Sequence, residues 1–118
     1  MKKLKKINHK IILTKLRRRK EVRKLIEVRV TENGIYMNGH AGKSVNGQDI
    51  VCAAISALTC NLINSIEELT DNKIRADTGS GKTAIEWEEL SDQGKLLVDS
   101  WFLGLTDINL EYNCIKFI

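Results

Sequence analysis

Cys52 follows Asp49, Ile50 and Val51 at the opening of an apolar, helix-like stretch, and His40, set between Gly39 and Ala41, ends a strand-like stretch twelve residues earlier. A cysteine at a helix start and a histidine delivered by a neighbouring strand are the minimum parts of a thiolate nucleophile. With Asp49 as N-cap, Cys52 is the third helical residue, inside the turn whose exposed N–H groups and dipole favour an anion. His40 then accepts the thiol proton and returns it to the leaving amine. Small residues at Gly39, Ala41, Gly42, Ala53 and Ala54 let a substrate backbone approach closely. Each residue also has a plainer use: Cys52 as a packed thiol, His40 as a strand-end hydrogen bonder, Asp49 as a cap alone, Ser56 as a small helix residue. Spacing by itself leaves both readings open.

The elements that must position these residues follow from periodicity. Ile26, Val28 and Val30 alternate with Glu27, Arg29 and Thr31, giving a strand with one apolar face. Asn33-Gly34 predicts a two-residue hairpin turn, with residues 35–38 returning as a second strand and residues 39–47 forming a loop of small and polar residues. A helix is predicted over residues 49–69, with Val51, Ile55, Leu58, Leu62, Ile66 and Leu69 as its core stripe. Residues 73–77 and 83–89 read as a hairpin across Gly79-Ser80-Gly81. Ser91 is the expected N-cap of a second helix carrying Leu96, Leu97, Trp101, Leu105 and Ile108, which Gly94 and Gly104 weaken. Residues 112–118 alternate as a terminal strand. The order ββαββαβ predicts an α+β domain with two helices packed on one mainly antiparallel sheet.

At 118 residues the chain suits one domain with a modest two-layer core. No apolar run is read as long enough for a membrane span. Cys52, Cys60 and Cys114 lack CxxC spacing and no secretory signal precedes them, which predicts a reduced, cytoplasmic setting with Cys60 and Cys114 as packed thiols. Charge is divided sharply. Residues 1–24 hold 12 Lys or Arg and one Glu, and residues 25–118 hold 7 Lys or Arg and 14 Asp or Glu, so a +11 leader precedes a −7 body and together they make +4. The leader reads as a solvated tail, as an arm for RNA phosphates, or as lying outside the natural protein. The last is the favoured expectation, because Lys20-Glu21-Val22 is what a purine-rich ribosome-binding stretch encodes in frame, with Leu25 a short step downstream as a TTG start. The domain is then residues 25–118.

Two motifs are set aside. Ala76 to Thr83 reads ADTGSGKT and approximates a phosphate-binding loop, but such a loop must open a helix, and the residues that follow alternate like a strand. His9, His40 and the cysteines share no metal-ligand spacing, so no metal is expected.

The segment Gly39-His40-Ala41-Gly42, a short loop, and then Gly47-Gln48-Asp49-Ile50-Val51-Cys52-Ala53-Ala54-Ile55-Ser56-Ala57-Leu58 resembles the signature of the Prp family of ribosomal-processing cysteine proteases. The resemblance spans about residues 25–118. It implies a protease that removes a short N-terminal extension from the twenty-seventh large-subunit ribosomal protein, with Cys52 as nucleophile and His40 as base. It further implies Asp49 and Ser56 as supporting residues, Gly39 as the hinge of a mobile loop, and a homodimer without cofactor or metal. The loop reads Lys43-Ser44-Val45-Asn46 where many relatives carry an aromatic residue, and the leader has no counterpart. A −7 body attracts a basic protein arm and repels free RNA, so nucleic acid is not the expected partner of residues 25–118. The competing classes are a non-enzymatic ribosome-associated adaptor that grips RNA through the leader, and a thiol hydrolase acting on a small amide or thioester.

Overall fold

The computed structural model describes residues 25–39, 48–79 and 81–118, with Gln48 and Asp49 described by backbone alone. The elements are β1 (Ile26–Thr31), β2 (Gly34–Asn38), α1 (Gln48–Leu69), β3 (Arg75–Gly79), β4 (Lys82–Glu86), α2 (Asp92–Tyr112) and β5 (Ile115–Phe117), in the predicted ββαββαβ order. Among the described residues they make a sheet of order β3-β4-β2-β1-β5. The pairs β1–β2, β2–β4 and β3–β4 are antiparallel, while β5 runs parallel to β1. The fold is therefore α+β with a mixed, mostly antiparallel sheet.

Strand register decides which face is covered. Ile26 and Val28 of β1, Ile35 of β2 and Ile85 of β4 fall on one side of the pleat and are buried. They join Val51, Ile55, Leu62 and Ile66 of α1 and Val98, Trp101 and Leu105 of α2 in one core. The opposite face is polar. There Arg29 stacks over the Tyr36 ring at 4.9 Å, the Tyr36 hydroxyl donates to Glu86 at 2.9 Å, and Glu86 meets Arg75 at 3.4 Å. That chain of contacts crosses β1, β2, β4 and β3.

The helix pair is set by local chemistry. Ser91 caps α2, its hydroxyl accepting from the Gly94 N–H at 3.2 Å. Asn72, just beyond α1, donates to the Ser91 hydroxyl and accepts from the Ser91 N–H, both at 2.8 Å, so the end of one helix is fastened to the start of the next. The two helical glycines are room for neighbours: a Cβ at Gly94 would lie 2.8 Å from Asn72 Nδ2, and one at Gly104 would lie 2.9 Å from Leu58 Cδ1. Asn113 ends α2 in the left-handed region, its N–H bonding the Asn109 carbonyl at 2.8 Å.

Several expectations need correction. The first hairpin turn is Glu32-Asn33, since Gly34 already pairs with Thr31 and Asn33 lacks a positive φ. Gly34 serves inside the strand, where an added Cβ would lie 2.7 Å from the Tyr36 hydroxyl. Asn33 is instead spent on the fold, its amide donating to the Trp87 and Glu88 carbonyls at 3.2 and 3.0 Å. Val30, Leu69 and Leu96 are exposed, although periodicity assigned them to apolar faces. Leu69 closes α1, Val30 nears the end of β1, and α2 buries Val98 rather than Leu96. Residues 87–89 leave the strand that was expected to include them, though Trp87 stays buried with its indole donating to the Glu32 carbonyl at 2.7 Å. Ile50–Leu69 is also long and apolar enough to cross a membrane by length and composition, with mean hydropathy 1.5, contrary to the reading of the sequence. Ala and Cys raise that mean, and in the fold one side of the helix packs on the sheet.

Candidate active-site cleft

Helix α1 covers the centre of the sheet and leaves the edge strand β3 bare. All of β3 is exposed, and the cross-strand row Met37, Thr83 and Thr78 carries the core-side face out from β2 to that edge. Between this row and α1 lies a cleft of about 250 Å³, onto which Cys52, Ser56, Cys60 and Ile63 open from the helix. Cys52 is half-buried and Ser56 is exposed. Two more open hollows, about 670 and 680 Å³, lie near Trp87 and over the polar sheet face, away from Cys52.

Gly39 also lines the cleft. Its φ is +110°, a region that only glycine enters cheaply, and an added Cβ would lie 3.1 Å from the Leu25 carbonyl oxygen. Its N–H donates to the Gly81 carbonyl at 2.8 Å, which ties the residue preceding His40 to the β3–β4 turn. Gly81 also has a positive φ, +75°. The glycine-rich ADTGSGKT stretch thus takes in most of β3, Gly81 and the start of β4, and a strand rather than a helix follows it.

His40 lies outside the described residues, as do Ala41 to Gly47. Asp49 is in α1, but the helix already includes Gln48, so Asp49 is a first-turn residue rather than the N-cap. Cys52 is accordingly the fifth residue of the described helix, one step beyond the first turn. Of the other thiols, Cys114 is buried as expected, and Cys60 is exposed on the cleft side of α1 rather than packed. The reason is helical phase: Cys60 is eight residues after Cys52 and shares its face. Thr59 was not singled out by sequence. It is buried at the cleft, donates to the Ile55 carbonyl at 2.7 Å and accepts from the Trp101 indole at 3.1 Å. Among the described residues no three His, Cys, Asp or Glu side chains cluster as a metal site.

The model of the family described as cysteine protease Prp matches residues 25–115. The chain belongs to the Prp cysteine protease family. Two Prp relatives, the ribosomal processing cysteine proteases of Staphylococcus aureus strains Mu50 and NCTC 8325, are each 30% identical over 95 residues, covering 75% of this chain and 90% of theirs. The structure of S. aureus Prp with a substrate peptide superposes with TM-score 0.70 at 25% identity, covering 80% of this chain and 96% of that one. The S. aureus enzyme with a covalently linked product peptide gives 0.68 at 26%, covering 81% and 97%. SMU.848 from Streptococcus mutans gives 0.67 at 26%, covering 80% and 92%. As a Prp protein, this chain is a cysteine peptidase.

Proposed function

We propose that this protein hydrolyses a peptide bond through an acyl-enzyme on Cys52, with His40 as the base, and that its substrate is the N-terminal extension of the twenty-seventh large-subunit ribosomal protein. The observation that carries the reading is the meeting of Cys52 and Gly39 in one cleft, because His40 is the next residue in the sequence after Gly39. The Cys52 sulfur attacks the scissile carbonyl carbon while its proton passes to the imidazole. Collapse of the tetrahedral adduct breaks the C–N bond, and the imidazole gives its proton to the departing amine. Water then attacks the thioester, the imidazole removes its proton, and the acid leaves as the thiol is restored. Asp49, in the first turn of α1, and Ser56, one turn after Cys52 on the same face, are the supporting residues, and Gly39 is the hinge.

The acidic body supports a basic ribosomal-protein arm as substrate and a processing role in ribosome assembly. The cellular setting is the cytoplasm, where ribosomal proteins are made and thiols stay reduced. The working unit is a homodimer. Leu96 and Leu103, two turns apart on α2 and 69% and 61% exposed, supply apolar surface for it.

Incubation with the same bacterium's extended ribosomal protein, followed by intact-mass measurement, tests the proposal. Loss of the extension with the wild-type chain and its retention with Cys52→Ala is the expected pair of results. An unchanged mass with both proteins removes the substrate assignment, and full cleavage by Cys52→Ala removes the nucleophile.

A further inference from the structure

Cys52, Ser56, Cys60 and Ile63 succeed one another at intervals of four, four and three residues, and all four open on the same cleft. The stripe spans twelve residues of α1, eleven steps or about 16 Å at the helical rise. Extended peptide advances about 3.3 Å per residue, so the stripe is as long as about five residues of substrate. Its floor is the row Met37, Thr83 and Thr78, which ends at the fully exposed edge strand β3 and leaves the cleft unroofed on that side. A trough that is long, open and apolar at Met37 and Ile63 fits a chain lying along it better than a small molecule enclosed by it.

Resting on the protease reading above, we infer that the face of α1 from Cys52 to Ile63 is a recognition track along which about five extended residues lie on one side of the scissile bond. Cys60 sets the width of the track, and Ile63 receives the side chain farthest from Cys52. Neither residue takes part in the chemistry, so their effect falls on how strongly long substrates are favoured over short ones.

Two series of peptides test this, one lengthened stepwise on the N-terminal side of the cleaved bond and one on the C-terminal side. In the full-length wild-type protein, kcat/KM is expected to climb in one series until about five residues are present, and then to level. In Cys60→Trp, changed at an exposed position, and in Ile63→Asp, the ratio of kcat/KM for the longest to the shortest peptide of that series should fall at least about tenfold. Circular dichroism melts establish that each variant is folded, and Cys60→Trp decides the matter if Ile63→Asp is not. Cleavage without length dependence in either series, or an undiminished ratio in folded Cys60→Trp, overturns the track while leaving the protease reading intact. If the wild-type protein cleaves none of the peptides, the protease reading falls and takes the track with it.

Discussion

Thr59 joins the cleft to the core through two hydrogen bonds: its hydroxyl donates back to Ile55 and accepts from Trp101, which is 3% exposed. Thr59→Val keeps the shape and strands the indole N–H, so chemical denaturation should show a loss of about 1–3 kcal/mol. Tyr36 provides a second residue-scale test, in pH. Its hydrogen bond to Glu86 is the largest cause of a phenol pKa raised above the ordinary 10.0, followed by desolvation and the Glu86 charge. A group whose pKa is higher folded than unfolded contributes its stability in full below the unfolded value and loses it as pH rises through the folded one. Thermal melts of the wild-type chain should therefore weaken above about pH 10 through this residue, and Tyr36→Phe should lack that component. Identical alkaline melting of the two proteins would remove Tyr36 from the account. The thiol and the glycines of the site were legible as residue types in the sequence, whereas Thr59 was not, because its partner is 42 residues away on another helix.

At the scale of elements, the close approach of α1 and α2 depends on what position 104 leaves empty. A Cβ there meets the far end of the flexible Leu58 side chain, which can swing aside, and alanine improves helix propensity by about 1 kcal/mol. Gly104→Ala should thus be close to neutral. Gly104→Leu overpacks the contact and should cost about 1–3 kcal/mol in denaturant unfolding; equal stability of the two variants would contradict the close packing. Element order and both helices were readable because their periods, 2 and 3.6, are strong over many residues. Facing was readable only where a partner lies opposite. Leu69 and Leu96 keep the helical period yet have no covering element among the described residues, and Cys60, which helical phase places on the face of Cys52, stays exposed because the sheet does not cover it there. The Glu32-Asn33 turn escaped prediction because Asn33 is fixed by Trp87 and Glu88, more than 50 residues away.

For the whole molecule, the cleft is a product of coverage: two helices span the middle of the sheet and stop short of β3. No local pattern encodes that shortfall, so the sequence pointed to a candidate nucleophile without the trough around it. Charge, by contrast, was visible throughout. If the −7 body alone recognises a basic arm, removal of residues 2–24 should leave cleavage of the ribosomal extension within about twofold, with RNA binding, where present, lost and salt-sensitive. Loss of peptide cleavage on that deletion would instead make the leader part of the enzyme. The central claim is that the sulfur of Cys52 forms the bond to substrate. Rapid acid quenching of the wild-type chain with a cleavable peptide, followed by intact-mass and peptide mapping, should find the acyl fragment on Cys52 and no adduct in Cys52→Ser. An adduct on Cys60, or turnover by Cys52→Ser at the wild-type rate, would contradict it.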